Sequence, residues 1–162
     1  MVMITGDAKD TAEAIAKEVG ILETEKGLIL TSTQLGEFSD QEIKNILPDL
    51  RVVARALPTD KSRLVKLAKS MDWVVGMTGD GVNDAPAVKN ADVGFSMGNG
   101  TDMTKESSDI VILDNNFNSL TNAVRYGRTL LKSIRKFLIF QLTVNVAAVL
   151  VAFLGPFFGT DL

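Results

Sequence analysis

The sequence contains no cysteine and no histidine. The first absence excludes disulfides, thiolate metal sites and cysteine nucleophiles, and it leaves the redox compartment open. The second removes zinc-hydrolase and Ser–His–Asp chemistry from the chain. Catalysis must rest on Asp, Glu, Lys, Thr, Ser or a hard metal ion. An excess of positive charge is missing too, the net charge being −3. Nucleic acid is therefore not an expected partner, because a phosphate backbone calls for clustered Lys and Arg. The sequence shows no internal repeat or low-complexity segment, and no N-terminal targeting segment is expected in it.

What is present is the composition of a globular domain. The 162 residues are 46% hydrophobic and 23% charged, enough for one domain with a real core. These averages conceal an asymmetry. Phe137 to Thr160 carries no charge, and Arg125, Arg128, Lys132, Arg135 and Lys136 stand just before it. An apolar run of about 20 residues is what a helix needs to cross a bilayer. The basic flank is expected to stay on the cytoplasmic side. A buried core helix is the alternative, but few such helices run so long without a charge.

Before Phe117, short apolar runs alternate with amphipathic stretches. The runs are Val2-Met3-Ile4, Val52-Val53-Ala54, Trp73 to Met77, Val93-Gly94-Phe95 and Ile110 to Leu113. Such runs read as strands buried on both faces of a parallel sheet. Ala8, Ala12, Ile15, Ala16 and Val19 share one helical face, as do Leu64, Val65 and Ala68. The alternation predicts a doubly wound α/β domain. Leu28-Ile29-Leu30 reads as a short strand followed by a loop, with Ser39 or Asp40 capping a short helix that ends near Pro48. A helical pattern from Ser119 to Leu154 is expected to continue into the membrane segment, only Gly127 interrupting it.

In doubly wound sheets ligands bind at the carboxyl ends of strands. Thr5-Gly6-Asp7 follows the first run, and Thr78-Gly79-Asp80-Gly81-Val82-Asn83-Asp84-Ala85-Pro86 overlaps and follows a later one. Pro58-Thr59-Asp60-Lys61 opens a helix between them. A hydroxyl and a backbone N–H at a glycine turn can hold phosphoryl oxygens. A lysine can neutralise developing charge. Two carboxylates in a glycine-rich turn suit Mg²⁺. Taken singly, each has a plainer reading: Thr-Gly-Asp as a turn, Lys61 as a solvated side chain, Asn83-Asp84 as a helix cap. Their joint occurrence at successive strand ends favours phosphoryl chemistry. Gly79-Asp80-Gly81 and Gly98-Asn99-Gly100 complete no dinucleotide fingerprint.

The blocks MITGDAKDTAEAIAKEVGI, ARALPTDKSRLVKLAK and VVGMTGDGVNDAPAVKNADVGFSMGNGTDMTKESSDIVILDNNF resemble successive blocks of P-type cation-transporting ATPases. LLKSIRKFLIFQLTVNVAAVLVAF is similar to the stalk and fifth transmembrane helix of that family. The nearest likeness is to the calmodulin-regulated, plasma-membrane type of calcium pump and its bacterial relatives. The resemblance implies α/β architecture: part of a haloacid-dehalogenase-like, Rossmann-like parallel-sheet domain, then a long stalk and transmembrane helix. By it, residues 1–116 are the C-terminal part of the phosphorylation domain, 117–136 the stalk and 137–158 the membrane helix. It implies a multi-pass membrane protein with residues 1–136 cytoplasmic. Mg²⁺ and ATP are the implied cofactors, the nucleotide domain lying outside this chain. The implied partners are the remaining pump domains and helices, membrane lipid and the transported cation.

The same resemblance implies roles for single residues. Thr5, Gly6 and Asp7 form the phosphoryl-contacting turn, and Lys61 pairs with the phosphoryl charge. Asp80 and Asp84 are the implied Mg²⁺ residues, and Asn83 and Asp84 orient the phosphoryl group, the nucleophile or the second shell. The family's nucleophile motif, Asp-Lys-Thr-Gly-Thr, is not in this sequence; Asp60-Lys61-Ser62 belongs to the lysine block. Because the nucleophile strand is central in that fold, a gap in the sheet is expected, and the chain alone is expected to be inactive. In the membrane run, Gln141 and Asn145 share a helix face, and the resemblance favours Asn145 as a cation-site residue over interhelical glue. Two-site calcium pumps carry a Glu at the position of Ala148, so fewer cations per cycle, or another cation, are expected. The other readings are a non-enzymatic split-pump subunit and a soluble haloacid-dehalogenase-like phosphatase, which the membrane run and the missing nucleophile disfavour.

Overall fold

A computed structural model of the chain describes residues 1–22 and 27–159. It divides into two compact units, Met1–Asn115 and Asn116–Leu162.

The first unit alternates strands and helices. Its first half contains β1 (Met3–Ile4), α1 (Lys9–Glu18), β2 (Leu28–Thr31), α2 (Ser32–Glu37), α3 (Asp40–Ile46), β3 (Leu50–Ala54) and α4 (Pro58–Lys69). Its second half contains β4 (Gly76–Gly79), a 3₁₀ turn at Val82–Asp84, α5 (Ala85–Asn90), β5 (Val93–Met97), α6 (Asp102–Ser107) and β6 (Ile110–Ile112). All the strand pairs are parallel, in two three-stranded sheets ordered β1-β3-β2 and β4-β5-β6.

The first sheet is covered on both faces, and the period-2 alternation of β3 shows how. Val52 and Ala54 pack with Ala12 and Ala16 of α1. Val53, pointing the other way, packs with Leu35, Ile43, Leu64 and Leu67 from α2, α3 and α4. The helices start where their sequences provide caps. Ser39 accepts from the Glu42 amide while Glu42 returns to Ser39, a capping box opening α3. Thr31 and Gln34 do the same for α2, which stands where a loop was expected. Leu28–Thr31 is the expected strand, one residue longer.

Several expectations about burial need correction. On α1 only Ala12 and Ala16 are buried, whereas Ile15 and Val19 are exposed. The helix approaches the sheet through its two small residues, and the larger ones flank the contact. β4 runs from Gly76 rather than Trp73, and Val74 is 86% exposed. Asp72 adopts a left-handed φ of 58° in the turn after α4, and Asp92 takes the Val75 amide at 2.8 Å. Parallel pairing with β5 therefore begins only at Gly76 opposite Val93. Ile110 and Val111 are also exposed, since β6 is an edge strand of its sheet.

The expected gap is visible as two free sheet edges. β1 and β4 each end their own sheet, and Val2, Ile4, Val75 and Met77 line one groove of about 250 Å³ floored by Leu64 and Val65 of α4. Thr5 sends both backbone groups toward β3, its amide to Val53 and its carbonyl to Ala56, each at 2.9 Å. By strand alternation the amide and carbonyl of Ile4 then face away from β3.

The second unit is built on α7 (Phe117–Leu154), one uninterrupted helix of 38 residues, about 57 Å long at 1.5 Å per residue. Asn116 caps it by accepting from the Asn118 amide. Gly127 causes no break. The hydroxyls of Thr129, Ser133 and Thr143 bond to carbonyls one turn back, so these polar groups are satisfied within the helix. No residue of α7 is buried, and its apolar side chains are exposed all along Phe137–Leu154. The helix is long and apolar enough to cross a membrane.

Candidate functional site: a strand-end cluster around Lys61, Asp80 and Asp84

The first motif forms a closed turn at the end of β1. The Thr5 hydroxyl donates to the Asp7 carboxylate at 2.6 Å, and the Asp7 amide donates to Thr5 Oγ1 at 3.2 Å. The exit of β3 is zipped to this turn: the Arg55 amide donates to the Asp7 carbonyl and the Ala56 amide to the Thr5 carbonyl. Arg55 holds a left-handed φ of 50°, a costly conformation for a non-glycine residue that surrounding bonds must impose.

Two residues on, the chain enters α4. Pro58 occupies the first turn, where its missing amide is not needed. Asp60 is 9% exposed, and its Oδ2 accepts from the Leu57 amide at 2.8 Å and the Ser32 hydroxyl at 2.6 Å. That carboxylate ties the start of α4 to the start of α2 and leaves Lys61 on the next position of the turn. Lys61 Nζ then reaches Asp84 Oδ1 at 2.6 Å, with side chains only 16% and 9% exposed. A pair this far from water is costly to break, because either partner alone would be an uncompensated buried charge.

The acidic turn is fixed from several sides. A side chain at Gly79 would collide with the Cβ of Asp84, so only glycine lets Asp84 fold beneath the strand end. The second oxygen of Asp84 accepts weakly from the Asp80 amide at 3.4 Å. The Asp80 carbonyl accepts from the Thr101 amide at 2.9 Å. The Asp80 side chain itself is exposed, with no hydrogen bond or ion pair among the described residues. Asn83 is exposed as well.

The structure thus joins Lys61, Asp84 and Asp80 through direct contacts. Thr5, Gly6 and Asp7 form their own cluster, tied to the exit of β3. Asn145 lies in the second unit, where its Oδ1 accepts from Gln141 Nε2 at 3.4 Å. Among the described residues no group of three or more Asp or Glu side chains is placed to hold a metal ion together. One exposed carboxylate in a rigid turn does fit Mg²⁺, which takes one or two carboxylates and completes its shell with water and phosphate. Asp80 offers such a carboxylate, whereas Asp84, the other expected metal residue, has its Oδ1 on Lys61. Three supports were not singled out in the sequence: Asp60, Arg55 and the Thr101–Thr104 pair. Asp60 was legible as a first-turn acid after Pro58. The other two depend on contacts distant in sequence.

A family model described as haloacid dehalogenase-like hydrolase matches residues 62–124. The chain is 53% identical to calcium-transporting ATPase PAT1 of Dictyostelium discoideum, over 94% of this chain and 14% of that protein. It is 50% identical to the probable calcium-transporting ATPase 6, plasma membrane-type, of Oryza sativa subsp. japonica, over 94% of this chain and 15% of that protein. Among solved structures, a zinc-transporting PIB-type ATPase in the E2.Pi state superposes with a TM-score of 0.71 at 28% identity, covering 95% of this chain and 21% of that one. The chain thus spans about a seventh of the length of the curated relatives it matches. With its parallel strands, haloacid dehalogenase-like match and long apolar helix, the chain is similar over nearly all its length to part of the P-type ATPases. The likeness is to a stretch of calcium-transporting ATPases, the Oryza sativa relative among them being of the plasma membrane type.

Proposed function

We propose that this chain supplies the phosphate- and Mg²⁺-handling part of the phosphorylation domain of an ATP-driven cation pump, with calcium as its cargo, together with a stalk and one membrane helix. The observation that carries this reading is the buried Lys61–Asp84 pair beside the exposed Asp80. It brings two strand-end blocks into one cluster of the kind phosphoryl transfer uses. In this reading Thr5 and Gly6 hold phosphoryl oxygens, and Asp7 orients the Thr5 hydroxyl. Lys61 offsets phosphoryl charge, while Asp84 holds Lys61 in place and Asn83 orients the reacting groups. Asp80 holds Mg²⁺, which when bound neutralises phosphoryl oxygens.

The phosphoryl acceptor is an aspartate outside this sequence, so the pump works through an aspartyl-phosphate and the chain alone is inactive. The groove between β1 and β4 is the place for the strand that carries that aspartate. Residues 1–116 are the domain part, 117–136 the stalk and 137–158 the membrane helix, with 1–136 cytoplasmic. ATP binds on a domain supplied by the rest of the pump. Asn145 contributes to the path of the transported cation.

The test is acid-stable phosphorylation from terminally labelled ATP in the presence of Mg²⁺. The purified chain is expected to incorporate none. Mixed with a segment bearing the Asp-Lys-Thr-Gly-Thr motif and the nucleotide domain, it is expected to support labelling of that segment, and Asp80→Asn is expected to abolish it. Stoichiometric acylphosphate on the chain alone would overturn the inactivity. Labelling indifferent to Asp80→Asn would overturn the assigned role of the cluster.

A further inference from the structure

The acidic turn is gripped from below by hydroxyl groups that the proposed mechanism does not use. Thr104, in α6, is 0% exposed. Its hydroxyl donates to the Gly81 carbonyl at 2.8 Å and lies 2.8 Å from the Thr101 hydroxyl. A threonine has one hydroxyl proton, and a carbonyl can only accept. The Thr104 proton therefore goes to Gly81, and Thr101 must donate to Thr104. The chain of bonds runs one way, from Thr101 through Thr104 to Gly81.

The neighbouring peptide is held from the same place, since the Thr101 amide donates to the Asp80 carbonyl at 2.9 Å. The Gly81 carbonyl also accepts from the Asp84 amide at 2.9 Å. Both carbonyls that bracket the Asp80–Gly81 link are thus fixed by the first turn of α6. Gly100 fits tightly here, as an added Cβ would sit 3.2 Å from the Asp80 carbonyl oxygen. The only part of Asp80 left without a partner is its exposed carboxylate.

We propose that Thr104 is a positioning residue for Asp80: its buried hydroxyl sets the turn so that the carboxylate is presented to Mg²⁺ in one orientation. This rests on the reading of Asp80 as the Mg²⁺ residue. A buried hydroxyl with a single committed proton serves as a directional strut, and a side chain of the same shape without it cannot replace it. Holding a ligand-bearing turn by bonds one layer behind it is how metal affinity is set without touching the metal.

The experiment uses the full-length pump with Thr104→Val, Thr104→Ser and Asp80→Asn. It reads three quantities: the Mg²⁺ concentration giving half-maximal phosphoenzyme, the maximal level at saturating Mg²⁺, and hydrogen exchange at the Thr101 and Asp84 amides. Thr104→Val is expected to raise the half-saturating Mg²⁺ about fivefold, the worth of one hydrogen bond. It should leave the maximal level within about twofold and speed exchange at both amides. Thr104→Ser, which keeps the hydroxyl, is expected to restore the wild-type requirement. An unchanged Mg²⁺ requirement in Thr104→Val, or equal losses in the Val and Ser variants, would overturn the proposal while Asp80→Asn still abolishes labelling. If Asp80→Asn leaves the Mg²⁺ requirement untouched, the underlying reading of Asp80 fails, and this inference with it. Should Thr104→Val not fold, Thr104→Ala, the better helix former, carries the same expectations and the same overturning results.

Discussion

Lys61 and Asp84 stand 23 residues apart in sequence and 2.6 Å apart in space. Each has little access to water, so the balance between desolvation and attraction decides what substitution does. Lys61→Ala leaves the Asp84 carboxylate buried without its cation, and the expected cost is about 3–5 kcal/mol. Replacing both partners with apolar residues, as in Lys61→Met with Asp84→Leu, is expected to recover much of that stability. Urea unfolding of the single and double variants measures both values; a loss in the double variant equal to that of the single would contradict the pairing argument. Asp92 gives a second residue-level expectation. The Val75 amide, then Lys69, hold its carboxyl below the ordinary aspartate value of 3.8. A depressed value in the folded state means stability that is present above the ordinary value and lost as pH falls through the folded one. The urea midpoint of the wild type should therefore exceed that of Asp92→Asn at neutral pH, and the difference should close in acid. A difference that is constant with pH would show that the carboxylate charge plays no part.

At the scale of elements, short helices here depend on their caps. α2, α3 and α6 have six or seven residues each, below the length at which an isolated helix is stable in water. Each begins with a Thr or Ser that accepts from an amide three residues on. The cap of α6 is also the grip on the acidic turn, so one element stabilises itself and positions its neighbour. α7 is the opposite case, 38 residues without a buried position. Its continuity suits a mechanical link in the proposed pump. A helix-breaking insertion of two glycines after Ser133 in the full-length pump is expected to leave phosphoenzyme formation intact and abolish transport. Retained transport in sealed vesicles would count against α7 as a lever.

The whole molecule combines a domain whose sheet is divided with a helix whose surface is apolar. Neither is a comfortable end state in water. Free strand edges offer unpaired backbone groups to any strand that fits, and an apolar helix exposed on all sides calls for lipid or protein around it. The chain is therefore expected to pellet with membranes and to resist extraction at alkaline pH, while a version ending at Lys136 is released. Release of the full chain under the same conditions would remove the membrane reading of α7. Residues 1–115 form one contact unit even with the sheet divided, because α4 supplies the floor of the groove and Lys61 ties it to the second half.

The sequence by itself determined the order of the strands and of most helices, the three strand-end blocks proposed to handle phosphoryl groups, and the long apolar helix. Those properties reside in local patterning: β-branched runs, caps, glycine turns and an uncharged stretch of membrane-spanning length. It also implied the divided sheet, through a motif that is missing. Only the tertiary structure decided which blocks touch. It gave Asp84 to Lys61 and left the Asp80 carboxylate open. It began β4 three residues late, because a left-handed Asp72 and the Asp92 carboxylate hold back the pairing. It also put a buried threonine of α6 beneath the acidic turn. Ion pairs between distant residues and the direction of a hydroxyl proton depend on where packed elements place their side chains, and no spacing along one chain encodes that placement.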